Sequence, residues 1–167
     1  SGGSITAKRV IVTVSTNILA GGLIRFAPDL PDELMEAITH LPCGTLNKIG
    51  LCFAPDSFAD DQAGWHVAWP AQPADADPAD IASFDINIDG KQQAIIFAGG
   101  NFGSHLEKQG PAAMRDYAEK CLASVFGTSI TSRITDVITT AWRGESLTLG
   151  AYSHAKPGHS AAREHLC

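Results

Sequence analysis

The chain has 167 residues, a length that favours one domain and is long enough to bury a core. With 44% hydrophobic and 18% charged residues it has the composition of a folded, soluble protein and not of a disordered one. A net charge of -6 excludes the basic footprint of a nucleic-acid-binding protein, and no apolar run reaches membrane-spanning length.

The four cysteines, Cys43, Cys52, Cys121 and Cys167, form no C-x-x-C pair, so zinc and thioredoxin-type chemistry lack their spacing. No metal site is expected. Cys52 and Cys121 fall in apolar patterns and are expected as buried thiols. The start, SGGSITAKRV, does not read as a signal peptide, and a reducing, cytoplasmic setting is the default.

In chain order, KRVIVTV (8–14) is a β-branched run expected as a buried strand. Residues 15–30 turn repeatedly around Gly21, Gly22 and Pro28. PDELMEAITHL (31–41) predicts a helix: Pro31 suits its first turn, Asp32 and Glu33 complement its positive end, and Leu30, Leu34, Ile38 and Leu41 share a stripe. CGTLNKIGLCF (43–53) alternates as a strand. It places Asn47, Ile49, Leu51 and Phe53 on one face and Leu46, Lys48, Gly50 and Cys52 on the other. Lys48 is the one charge in the run.

An acidic loop (54–63) leads to a short strand, GWHVAW (64–69), and a Pro/Ala/Asp loop follows at 70–80. SFDINI (83–88), the Asp-Gly turn at 89–90 and QAIIFAGG (93–100) predict a hairpin. FAGGNFGSH (97–105) is glycine-rich but spaced GG-x-x-G, which favours a tight turn over a phosphate loop. PAAMRDYAEKCLASVFG (111–127) predicts a second helix whose apolar face holds Met114, Ala118, Cys121, Leu122 and Val125, with Gly127 as its cap. ITSRITDVITTAW (130–142) reads as extended. Residues 143–167 show little periodicity, and with the isolated first strand they suggest a piece of a longer protein. Strands grouped around two helices give an α+β class with a mixed sheet covered by helices.

Lys48 carries two readings. One is a lysine reaching from a sheet edge to water. The other is a lysine facing a cavity, holding a water or a cofactor atom. Trp142 and Tyr152 flank WRGESLTLGAY, where Gly144 and Gly150 permit close backbone approach; they are read either as core aromatics or as the wall of a planar ligand site. His154, His159 and His165 lack the spacing of a metal site, and Ser153 beside His154 lacks a nucleophile elbow.

Four stretches together resemble the flavin-containing amine oxidases, the family of monoamine oxidases, polyamine oxidases and flavin-dependent histone lysine demethylases. RVIVTVSTNIL resembles the family's V-I-V-T-V-P-L-G-V-L segment, and IRFAPDLPDELMEAI its I-x-F-x-P-P-L-P motif with the helix after it. CGTLNKIGLCF resembles its G-x-x-N-K-V-x-L-x-F strand, and AWRGESLTLGAYSHAKPG its W-x-x-D-P-x-x-x-G-x-Y-x-Y-x-x-P-G segment.

The resemblance implies an enzyme that oxidises a C–N bond of a small amine by hydride transfer to FAD. It implies that Lys48 is the lysine that binds a water beside the reactive flavin nitrogen. Trp142, Gly150, Ala151 and Tyr152 would border the cofactor, and Tyr152 would also orient the substrate amine. Ala151 stands where some relatives carry a flavin-linking cysteine, so the FAD is expected to be noncovalent. Ser15 and Asn17 replace the usual Pro and Gly, Leu147 a frequent Trp, and His154 a frequent Tyr.

The family's G-x-G-x-x-G site and its closing F-A-G-E-type segment are not in the sequence. The expected organisation is therefore an edge strand on the FAD-domain side (1–19), a substrate-binding domain (20–142) and a return segment towards the missing FAD domain (143–167). Such a fragment would bind no FAD and be inactive alone. The alternatives are a noncatalytic interaction module of the same fold and an L-amino-acid oxidase. The latter needs an arginine at the site to hold a carboxylate, and Arg25, Arg133 and Arg143 are available.

Overall fold

A computed structural model describes residues 2–68 and 81–166. Five strands build its centre: β1 (Leu46–Phe53), β2 (Gly64–Ala68), β3 (Ala82–Ile86), β4 (Gln93–Gly99) and β5 (Ile134–Thr139), in the order β2-β3-β4-β1-β5. Every pairing among them is antiparallel. The expected α+β class is observed, with every pairing antiparallel where a mixture of parallel and antiparallel pairs was expected. Only β3 and β4 are joined by a tight turn, which forces an antiparallel pair; β1 pairs with β4 and β5, both distant in sequence, so the run order alone did not fix their direction.

The helices are α1 (Thr16–Ala20), α2 (Asp32–Thr39), α3 (Gly100–Gln109) and α4 (Pro111–Phe126). α3 and α4 cover one face of the sheet. There Ile49, Leu51, Phe84, Ile86, Ile96, Met114, Ala118 and Leu122 form the core. The alternation in β1 emerges as read, with Asn47, Ile49, Leu51 and Phe53 buried and Lys48 on the open face. The expected loop 70–80, and Trp69 at the end of the expected strand 64–69, lie outside the described residues.

Several expectations change. Residues 8–14 form no strand: Val10 and Ile11 are 79% and 86% exposed, and no described strand lies beside them to pair their amides. The turning stretch 15–30 contains α1, whose Ser15 caps Ile18 N–H. The helix at 31–41 forms as α2 but packs on α1 and on the turn Ser160–Leu166 rather than on the sheet. The strand expected at 83–88 stops at Ile86, because Asn87 and Asp89 adopt left-handed backbone in the turn to β4.

The glycine-rich stretch opens α3 directly. Gly103 sits against the end of β4, where a side chain would fall 2.3 Å from the Ala98 carbonyl oxygen. Cys52 is exposed, since it lies on the open face, whereas Cys121 is buried on α4. Val125 faces outward at 44% exposure, and Tyr117 takes its place in the α4 stripe. Residues 130–133 belong to a tight turn before β5 rather than to the extended segment.

Candidate functional site

β1 aims two neighbouring side chains to opposite faces. Lys48 projects from the open face with its ammonium 6.0 Å from the centre of the Phe97 ring, across the Lys48–Phe97 strand pair. Its backbone is fixed by Thr140, whose N–H donates to the Lys48 carbonyl at 3.0 Å and whose Oγ1 accepts from the Lys48 N–H at 2.9 Å. Among the described residues no carboxylate pairs with the ammonium.

Asn47 points the other way and is fully buried. Its Nδ2 donates to Glu107 Oε2 at 2.6 Å, and its Oδ1 accepts the Trp142 N–H at 3.2 Å. Glu107 Oε1 in turn accepts the Gly144 N–H at 2.7 Å. The Trp142 carbonyl accepts from Gly150 N–H at 2.7 Å and from Thr148 Oγ1 at 3.0 Å. Both backbone groups of Trp142 are thus committed, and the indole is held at the mouth of β1.

The return segment is pinned from the other side by α1. Ser15 Oγ donates to the Thr148 carbonyl at 2.5 Å. Asn17 Nδ2 donates to the Leu149 carbonyl at 2.6 Å while its Oδ1 accepts the Cys43 N–H at 3.0 Å. Ala151 N–H and the Tyr152 carbonyl bond Gly44 at 2.9 and 2.8 Å. Gly150, buried at φ +149, lies so close that a side chain there would meet Cys43 Cβ at 2.5 Å. Only glycine lets the segment approach this near.

These ties enclose a cavity of about 530 Å³ lined by Lys48, Trp142, Gly150, Ala151 and Tyr152, together with Thr13, Val14, Ser15, Leu46, Leu147 and Thr148. All five residues singled out in the sequence therefore converge on one cavity. Trp142 and Tyr152 are not core aromatics; they are 38% and 64% exposed. Asn47, Glu107 and Asn17, which hold the walls, were not singled out as holders. Asn47 carried a signal nonetheless, as the lone amide on the apolar face of its strand.

The lining can take a flat group: two aromatic faces, small residues at Gly150 and Ala151, and one ammonium that donates hydrogen bonds. It fits an isoalloxazine ring. It offers one cation among its described lining residues, and the one helix that starts there, the five-residue α1, has Ser15 Oγ on its Ile18 N–H, so the fit covers the ring end of FAD and not its dinucleotide tail.

None of the three arginines lines this cavity. Arg133 donates to Ser57 Oγ at 2.8 Å and to the Pro55 carbonyl, while Arg25 and Arg143 border separate hollows. Of the tail histidines, His159 stacks on His40 with ring centres 3.6 Å apart and lies away from the cavity. Among the described residues no group of His, Cys, Asp or Glu could hold a metal ion, and no helix is long and apolar enough to cross a membrane.

Fold and cavity define a class: an α+β domain with a cavity bordered by Lys48, Trp142 and Tyr152 on its open sheet side. The chain belongs to the family of flavin containing amine oxidoreductases, whose model matches residues 1–166. Membership implies FAD as the cofactor. Among curated relatives, a probable polyamine oxidase 4 of Arabidopsis thaliana is 29% identical over 92% of this chain and 29% of its own length. A lysine-specific histone demethylase 1 homolog 1 of Oryza sativa subsp. japonica is 27% identical over 90% of this chain and 18% of its own. Among solved structures, wild-type putrescine oxidase bound to putrescine superposes with a TM-score of 0.68 at 18% identity, over 92% of this chain and 33% of that one, which shows the shared fold. The chain thus spans a third or less of the length of these relatives.

Proposed function

We propose that this chain is the substrate-binding part of an FAD-dependent amine oxidase. In this reading residues 1–19 lie on the FAD-domain side, 20–142 form the substrate domain and 143–167 lead back to the FAD domain. The observation that carries it is the convergence of Lys48, Trp142, Gly150, Ala151 and Tyr152 on one cavity.

FAD, when bound, supplies the two-electron acceptor for oxidation of the substrate's C–N bond. The residues of this chain prepare that event. Lys48, a donor with no acceptor capacity, holds a water in the cavity and fixes its lone pairs. Its charge also disfavours an ammonium beside it, so the amine that approaches is the neutral form, with its lone pair available. Trp142 and Tyr152 wall the site and keep bulk water from the amine, with Tyr152 orienting it. Gly150 and Ala151 leave room for the ring and, lacking a thiol, hold it without a covalent bond. An amino-acid substrate would need a second cation for its carboxylate, and Lys48 is the one cation among the described lining residues.

The test is Lys48→Met in the full-length enzyme, with flavin reduction and reoxidation followed by stopped flow. Methionine keeps the stem's packing and removes the charge and its hydrogen bonds. One half-reaction is expected to slow by about 10²–10⁴-fold, the worth of a positioned proton-transfer group, with the melting temperature nearly unchanged. Unchanged rates in both halves would return Lys48 to a solvent-reaching role. If no amine bleaches the flavin of the parent protein, the enzyme reading itself fails and the interaction module remains.

A further inference from the structure

The wall of the cavity that carries Trp142 is held from the covered side of the sheet. Gly103 and Glu107 stand one turn apart on α3, the helix that packs on β4 and β1. Gly103 lets α3 lie close, so that its carbonyl comes within 3.4 Å of Asn47 Nδ2. Half-buried Glu107 accepts from the same nitrogen at 2.6 Å with one oxygen and from the Gly144 N–H at 2.7 Å with the other. Asn47 Oδ1 is left to accept the Trp142 N–H at 3.2 Å.

An asparagine amide has two ends of nearly equal size, one a donor and the other an acceptor. Size therefore cannot decide which end meets Trp142; the partner at the opposite end decides it. An ionised carboxylate accepts and never donates, so Glu107 draws the Asn47 NH2 group and turns its oxygen toward the return segment. The Gly103 carbonyl favours the same direction from a longer distance. Neither Asn47 nor Glu107 lines the cavity. Their effect on it passes through Trp142 and Gly144, two N–H groups at the start of the segment that forms the wall.

Resting on the amine-oxidase reading, we propose that Glu107 is a positioning residue for the reaction: its carboxylate sets the direction of the Asn47 amide, and that direction places the Trp142 indole at the cavity. Glu107→Gln keeps the size of the side chain and replaces one acceptor by a donor. The remaining oxygen then serves either Gly144 or Asn47. In the first case the Asn47 amide turns over and meets the Trp142 N–H with a second donor; in the second, the Gly144 N–H meets a donor. Either way one N–H of the wall segment loses its acceptor. Asn47→Asp combined with Glu107→Gln moves the charge across the pair. The new carboxylate accepts from the new amide and from the Trp142 N–H, while the amide oxygen accepts from Gly144. All three hydrogen bonds return, and only the long Gly103 contact is given up.

The experiment has two arms. In the first, amide and indole NMR signals of this chain are recorded for the wild type, Glu107→Gln and the double variant. In Glu107→Gln the Trp142 indole signal is expected to move, and the Trp142 or Gly144 amide hydrogen to exchange about ten-fold faster, while the Trp65 indole on β2 stays in place. The double variant should bring these signals back toward the wild type. A Trp142 indole unmoved by Glu107→Gln, or a double variant that unfolds or merely adds the defects of its two changes, would overturn the assignment. In the second arm, flavin reduction and turnover of an amine are measured in the full-length enzyme. Glu107→Gln should lower kcat by about ten- to hundred-fold, the worth of a misplacement on the order of 1 Å, and change KM less than about two-fold. The double variant should recover most of that loss. Ile130→Val, a small core change away from this network, controls for lost stability and should leave both constants near the wild type. An unchanged kcat in Glu107→Gln beside a displaced indole reduces Glu107 to a structural tie and overturns the positioning role. A flavin that no amine reduces in the wild-type enzyme removes the amine-oxidase reading and the role in the reaction with it, while the first arm still decides whether Glu107 places Trp142.

Discussion

At the residue scale, the Asn47–Lys48 dipeptide divides the labour of the site. Because strand side chains alternate, Lys48 becomes wall while Asn47, on the reverse face, holds the segment that forms the opposite wall. Asn47→Ala is expected to destabilise the chain by about 1–3 kcal/mol, since it leaves a Glu107 oxygen and the Trp142 N–H without their partner. Chemical denaturation measures that loss. Exchange of the Trp142 amide hydrogen should also accelerate in the variant, whereas an Asn47 that merely fills space would leave that amide protected. The lysine was legible because one charge interrupts an apolar alternation. The reason for Gly150 was not, because the atom it must avoid belongs to Cys43, distant in sequence and adjacent only after folding.

At the element scale, the helices with a stripe and a cap were legible: Pro111 opens α4 and Gly127, at φ +82, closes it. What pattern alone could not supply was the partner of each stripe, and so α2 was expected on the sheet that it does not cover. α3 escaped for a related reason. Gly99, Gly100 and Gly103 at its start read as a turn, yet Gly103 is there so that the helix can lie against the end of β4. The face that α4 buries makes a prediction about pH. Tyr117 is buried with its hydroxyl donating to the Ile81 carbonyl at 3.2 Å, and burial, reinforced by Cys121, raises its pKa well above the ordinary 10.0. The native state therefore holds this proton more tightly than the unfolded chain does. The stability it contributes is complete below the ordinary value and declines as pH rises past it. Urea midpoints should fall between about pH 9 and about pH 11, and Tyr117→Phe should flatten that decline. An equally steep fall in the variant would place the alkaline sensitivity elsewhere.

At the scale of the whole molecule, the proposed role gives the chain one wall of a ring site and leaves the dinucleotide to be held elsewhere. The sequence contains no G-x-G-x-x-G turn, and the cavity offers a single cation among its described lining residues. We expect the isolated chain to retain no stoichiometric FAD. Adding the cofactor, desalting and recording the visible spectrum checks this, and a yellow protein with one flavin per chain would refute it. The α+β class was legible from the order and length of the runs. The fate of residues 8–14 was not, because a β-branched run reports only that it suits a strand, not whether a neighbouring strand is present to pair with it.

The bonds from Ser15 and Asn17 to Thr148 and Leu149 join positions 133 and 132 residues apart. Closing so wide a loop costs entropy that only an already ordered sheet can offset. The strands and their two covering helices all lie between these positions, so they can pair first, on the ribosome or in the tube. By this argument the cavity is expected to close late in folding and to open early in unfolding. Lys48 waits on a finished strand for the opposite wall to arrive, and chemistry at this site becomes possible only when nearly the entire chain has found its place.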